Sequence, residues 1–174
     1  MSSASADPMA APTPAVGCHW RAMALDDLDA VLPIEQASHS HPWSRGNFAD
    51  SIATGFYMPC LWQEQRLLGY LVAMPGVDEA HLLNLTVAPA CRGLGLGRLL
   101  LQALEFWALR QRATQLWLEV RQGNARAQAV YAAAGYQSIA VRKHYYPLDG
   151  QQREHAIVMC KSLATAPAPA AGCG

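Results

Sequence analysis

HLLNLTVAPACRGLGLGRLLLQALEFWALR, residues 81–110, changes backbone period within one short stretch. Its first eight residues are a nearly continuous apolar run of strand length, bounded by Pro89. Its last half, from about Gly97, is built of leucine, alanine, glutamine, glutamate and arginine, which are strong helix formers. Between them stand Gly93, Gly95 and Gly97. A strand, a glycine-rich loop and a helix start make a pre-built anion site. The first-turn amides point outward unpaired, the helix dipole adds partial positive charge, and glycine lets the backbone close on phosphate oxygens. A pyrophosphate suits that shape.

Spacing narrows the choice of pyrophosphate. A dinucleotide fingerprint needs a further glycine three residues after a G-x-G, and those positions hold Arg98 and Leu100. The phosphate loop of nucleoside triphosphatases ends in Gly-Lys-Ser/Thr, whereas Gly97-Arg98-Leu99 supplies neither the lysine nor the magnesium-binding hydroxyl. The pattern that remains is Arg/Gln-x-x-Gly-x-Gly/Ala, from Arg92 to Gly97.

Working outward, the upstream half reads as HWRAM, a short strand, then a helix opened by Asp26-Asp27 with Leu28, Val31, Leu32 and Glu35 at three-to-four spacing. Ser44 is placed to cap a second helix over RGNFADSI. FYMPCLWQ and RLLGYLVAM form a hairpin about the polar Glu64-Gln65 turn. Downstream come the strand TQLWLEVR and the helix ARAQAVYAAAG, stopped by Gly135. YQSIAVR and HAIVMCKSL are two last strands around the polar turn LDGQQ. Hairpins dominate the first half and strand–helix alternation the second, so the expected fold is α/β, a mixed sheet with helices on both faces.

The bulk composition bounds the rest. The chain has 174 residues, 52% of them hydrophobic, enough for one core and one domain. Residues 1–17 and 164–174 are rich in Ala, Ser and Pro, poor in large apolar side chains, and are expected to be disordered tails flanking a folded unit of residues 18–163. Thirteen basic residues balance thirteen acidic ones, which gives no long-range field for nucleic acid or anionic lipid. The five cysteines are odd in number and lack C-x-x-C spacing, which argues against a disulfide framework or a cysteine zinc site. No basic leader or apolar stretch of about twenty residues is visible. A cytoplasmic protein with neither a membrane nor a nucleic-acid partner is the expectation.

Arg92-Gly93-Leu94-Gly95-Leu96-Gly97 resembles the CoA-pyrophosphate loop of the GNAT N-acetyltransferases. The likeness extends through IEQASHSHPWS, HLLNLTVAP, LWLEVRQGNARAQAVYAAAGY, RKHYYP and HAIVM, which together resemble the RimI-type ribosomal-protein-alanine N-acetyltransferases. The resemblance covers essentially the whole folded unit and implies a single-domain GNAT fold with a mostly antiparallel sheet of six to seven strands. It also implies acetyl transfer from acetyl-CoA, without a metal, to the α-amino group of an N-terminal alanine of a small-subunit ribosomal protein.

Residue by residue, the resemblance makes Glu119 the proton acceptor and Tyr131 the general acid that protonates the leaving sulfur. Leu85, Thr86 and Val87 fall where the family's strand backbone pairs with the pantetheine arm. Arg92, Gly93, Leu94, Gly95, Leu96, Gly97 and Arg98 would hold the pyrophosphate, and Asn124, also a favoured helix N-cap, would contact CoA. Glu35, Trp43 and Tyr145, with Tyr146, border the expected acceptor site. Two positions depart from the family: Gly93 replaces a common basic residue, and Cys91 a common aromatic or histidine. His39 and His41 form a possible metal pair without a third ligand, so they read as polar helix-end residues. A small-molecule amine or a lysine side chain is an alternative acceptor, and a non-catalytic acetyl-CoA-binding module an alternative of another class.

Overall fold

A computed structural model describes residues 16–148 and 152–163. The two expected tails, apart from Val16 and Gly17, lie outside the described residues, as do three residues of the LDGQQ turn. In chain order the elements are β1 (Cys18–Ala22), α1 (Leu28–Ser38), α2 (Arg45–Thr54), β2 (Pro59–Gln63), β3 (Arg66–Pro75), β4 (Glu79–Val87), α3 (Leu96–Arg110), β5 (Gln115–Arg121), α4 (Ala125–Ala133), β6 (Gln137–Pro147) and β7 (Arg153–Ser162). The strands form one seven-stranded sheet in the order β1-β2-β3-β4-β5-β7-β6, in which only β4 and β5 pair in parallel.

Local chemistry sets the helix ends. Ser44 Oγ accepts the Asn47 amide at 3.2 Å while Asn47 Oδ1 accepts the Ser44 amide at 2.8 Å, so each satisfies a donor the helix leaves unpaired. Gly55, at φ +80°, closes α2 in the left-handed conformation. Asp27 accepts the Ala24 amide at 2.8 Å and pairs with Arg21, which fixes the entry into α1.

Helices cover the sheet from two sides. Leu100, Leu101, Leu104 and Ala108 of α3 pack with Leu71, Ala73, Leu82, Leu116 and Leu118, all buried. On the other face Leu28 and Val31 of α1 and Phe48 of α2 pack with Cys60, Tyr70 and Val72. Neighbours along β3 thus alternate between two cores, as the period of two requires.

A bulge in β4 positions the site. Ala73 pairs with Leu82 and Val72 with Asn84, leaving Leu83 as the extra residue. The insertion reverses the alternation: Leu82 packs beneath α3, whereas Asn84 and Thr86 turn toward α1 and Leu85 and Val87 toward α3. Past the bulge β4 and β5 also part company. Their register runs only from Glu79↔Gln115 to Leu82↔Leu118. Residues 83–87 therefore have no strand partner on the β5 side, and neither do residues 119–121 on the β4 side.

YQSIAVR proves to be only the start of its strand. β6 continues through RKHYYP to Pro147, with the register shifting between Arg142 and Tyr146 and His144 at φ +52°. The long partner β7, inserted between β5 and β6, supplies the pairing that draws this polar stretch into the sheet. Among the described residues no helix is long and apolar enough to cross a membrane.

Candidate active site

The glycine loop closes on itself in the way its composition allows. Gly93 and Gly95 lie at φ +82° and +78°, a region that L side chains rarely adopt. Gly95 is the N-cap of α3 and offers no side-chain cap, and the first turn carries no acidic residue. The first-turn amides of α3 are left for an anion. A Cβ built at Gly93 or Gly95 meets nothing within 4 Å, so backbone conformation rather than crowding demands glycine.

In front of the loop lies a cavity of about 610 Å³. Leu85, Thr86 and Val87 of β4, the loop residues Arg92, Gly93, Gly95, Leu96, Gly97 and Arg98, and Asn124 and Tyr131 from the α4 side all line it. Ten of the eleven residues expected to hold the cofactor are thus brought to one wall, together with the expected general acid. Leu94 is the exception: it is 71% exposed and lines a second, smaller cavity with Cys18 and Leu61. Asn124 caps α4 by accepting the Ala127 amide at 3.1 Å, and its amide nitrogen makes no hydrogen bond to the described residues, so capping and ligand contact are compatible.

Of the expected catalytic pair, Glu119 stands on β5 and Tyr131 on α4, the two elements that follow one another beyond the gap between β4 and β5. Tyr131 projects from α4 into the cavity and packs beside Tyr136, ring centroids 5.9 Å apart. Burial, with a smaller contribution from the nearby Tyr146, pushes its phenol up to about 12, so the hydroxyl stays protonated at neutral pH. Glu119 sits on β5 one residue past the last β4 pairing, pairs with Arg142 at 3.2 Å, and is not among the cavity-lining residues. Tyr146 lies between these elements, its hydroxyl donating to the Glu119 carbonyl at 3.0 Å and its ring 4.5 Å from the Arg121 guanidinium.

The acceptor-side candidates divide. Tyr145 is exposed, stacks edge-on to Tyr146 and lies under Arg142. Trp43 is half-buried against Phe48, at 5.3 Å. Glu35, expected beside the acceptor's ammonium, lies inside the molecule at 1% exposure. Its carboxylate accepts from Tyr70 Oη at 2.5 Å, Asn84 Nδ2 at 3.1 Å and the Trp43 amide at 2.9 Å. Burial, then the charge and hydrogen bond of Glu35, push the Tyr70 phenol far above its usual value, so it remains the donor. His39 and His41 are separated in space: His39 Nε2 meets Thr86 Oγ1 at 2.7 Å, while His41 Nδ1 meets Arg121 Nη2 at 3.3 Å. Among the described residues no group of three or more His, Cys, Asp or Glu could hold a metal ion.

Several wall residues escaped the sequence reading. Ser38 and His39 close the cavity from the end of α1, with Arg92 donating to Ser38 Oγ at 3.0 Å. Arg126 and Val130 line it from α4. The visible signal for the polar network was Asn84 and Thr86 within the apolar run of β4, but their partners Glu35 and Tyr70 come from α1 and β3, far apart in sequence.

The fold and the loop define a class, an α/β protein whose glycine loop leaves the first-turn amides of a helix free to meet an anion. The profile of the acetyltransferase (GNAT) family matches residues 28–136, and the chain belongs to that family. It is 38% identical over 139 residues to the [ribosomal protein bS18]-alanine N-acetyltransferase of Escherichia coli K12, covering 79% of this chain and 93% of that one. The protein of the same name from Haemophilus ducreyi is 35% identical over 137 residues, 79% and 94% of the two chains. The crystal structure of the ribosomal-protein-S18-alanine N-acetyltransferase from Escherichia coli superposes with a TM-score of 0.78 at 34% identity, covering 86% of this chain and 96% of that one.

Proposed function

We propose that this enzyme transfers the acetyl group of acetyl-CoA to the α-amino group of an N-terminal alanine of a small-subunit ribosomal protein. The observation that carries the reading is the single cavity that Tyr131 shares with the glycine loop and the β4 edge. The first-turn amides of α3, with Arg92 and Arg98, suit a pyrophosphate, and the unpaired edge of residues 83–87 suits the amides of a pantetheine arm laid along it as an added strand. The names of the relatives at 35–38% identity support the acceptor.

The amine nitrogen attacks the thioester carbonyl, forming the C–N bond, and the adduct collapses by breaking C–S. Two protons must leave an ammonium that becomes a secondary amide, and one must reach the departing sulfur. Glu119 accepts a proton from the nitrogen, and Tyr131 donates its phenolic proton to the thiolate. Desolvation suits the second role, because it keeps the phenol neutral until the sulfur leaves.

Residues 18–163 form the catalytic unit in this reading, acting in the cytoplasm without a metal and without direct contact to nucleic acid or membrane. Incubation with acetyl-CoA and peptides that differ only at the first residue, read by mass spectrometry, tests it. Acetylation of the Ala-starting peptide at its α-nitrogen is expected. Modification of only lysine side chains or small amines would refute the acceptor, and binding of acetyl-CoA without turnover on any amine would refute the enzyme.

A further inference from the structure

Glu35 has no task in the scheme above, and an ionised carboxylate is costly to bury unless hydrogen bonds replace its water. The bonds it receives have a direction that runs outward to the cavity. An ionised carboxylate only accepts, so Asn84 must turn its Nδ2 toward Glu35, at 3.1 Å to each oxygen. That leaves Asn84 Oδ1 facing Thr86, whose hydroxyl donates to it at 2.9 Å; the alternative contact to Glu35 Oε2 is 3.5 Å and too long to compete. A hydroxyl has one proton. Thr86 Oγ1 must therefore accept at its 2.7 Å contact with His39, and the His39 proton sits on Nε2. Nδ1 is left as a lone pair with no partner among the described residues. His39 lines the same cavity as Tyr131, with 38% of its side chain exposed.

We propose that His39 is the proton acceptor for the acceptor's α-ammonium, with Glu35 as the positioning residue that holds its tautomer through Asn84 and Thr86. The proposal rests on the N-terminal acetyltransfer reading and completes its proton count. Nδ1 takes the first proton from the ammonium and frees the nitrogen lone pair for attack. Glu119 takes the second after the C–N bond forms, and Tyr131 supplies the proton that the sulfur needs. The imidazolium then returns its proton to solvent, the one proton released per turnover, while the proton on Glu119, passed through solvent, restores the Tyr131 phenol. The charged groups around His39 are Glu35 of α1, whose carboxylate lies 3.6 Å from Nε2, and Arg92 of the glycine loop through the neighbouring Ser38. Tyr70 of β3 reaches it only through Glu35.

The test is kcat/KM for an Ala-starting peptide at saturating acetyl-CoA across the pH range in which the peptide amine, with a pKa near 8, loses its proton. His39→Ala should lower it about tenfold or more at neutral pH, and the deficit should shrink at high pH, where the amine arrives already neutral. The variant should still bind acetyl-CoA in calorimetry and unfold in one thermal transition. Glu35→Gln, which can donate to Asn84 and reverse the chain, should show the same pH-dependent deficit. The ¹⁵N shifts of the His39 ring should place the proton on Nε2 in wild type and on Nδ1 in that variant. No deficit in His39→Ala, a deficit independent of pH, or a wild-type proton on Nδ1 would each overturn the proposal while leaving the acetyltransfer reading intact. A wild-type enzyme that modifies no peptide N-terminus would overturn both.

Discussion

Tyr131 and Gly95 carry their consequences on one side chain or on the lack of one. Replacing Tyr131 by phenylalanine keeps the ring against Tyr136 and removes only the hydroxyl proposed to protonate the leaving sulfur. The expected result is a loss of about 100-fold in kcat with acetyl-CoA affinity unchanged, measured by steady-state kinetics and calorimetry. Gly95→Val acts differently. At φ +78° a β-branched residue costs about 1–3 kcal/mol, and because a Cβ there meets no neighbour, the loop relieves the strain by changing its own backbone. Acetyl-CoA binding should be lost in calorimetry while the fold persists. Gly97→Ala is the contrast, since its Cβ would make ordinary contacts of 3.9 and 4.0 Å with Val130 and Val87, and binding should survive.

Helix α3 aims its first turn at the cavity only as well as its far side is anchored to the sheet. Leu104, at 0% exposure, lies in the core shared with Leu71, Leu82 and Leu116. Leu104→Ala removes that packing and leaves a cavity, at an expected cost of about 2–5 kcal/mol in urea unfolding. Acetyl-CoA should still bind to the fraction that remains folded, because residue 104 is two turns from the loop. The bulge at Leu83 is the matching feature of β4. By inserting one residue it turns Asn84 and Thr86 to the α1 face and Leu85 and Val87 to the α3 face, so one strand segment serves the polar network beneath α1 and the apolar wall beneath α3.

The whole molecule holds several acidic groups neutral, and this sets its response to alkali. Burial pushes the phenols of Tyr57 and Tyr131 from 10.0 to about 12, and burial with the Glu119 charge does the same for Tyr146. The Cys60 thiol rises from 9.0 to about 12 through burial and the charge of Asp27. A raised folded pKa means that the unfolded chain releases its proton first. The stability these groups contribute is complete below about pH 9 and is lost as pH climbs toward 12. Thermal midpoints should therefore hold level to about pH 9 and fall beyond it, with tyrosinate absorbance from the five phenols that burial raises appearing only as the fold is lost. More than one of the six phenols ionising near pH 10 in a folded protein would contradict this. Of the architecture, the sequence by itself determined what depends on neighbours in the chain. The glycines that permit positive φ, the Ser44 cap, the helix periodicity of α3 and the glycine loop at its start are all local, and all were legible. Only the tertiary structure decided what depends on contacts between distant segments. The slotting of β7 between β5 and β6, the parting of β4 from β5 beyond Leu82, and the burial of Glu35 against Tyr70 and Asn84 follow from strand pairing and packing across dozens of residues. Periodicity can mark a face as apolar; it does not name the segment that will cover it.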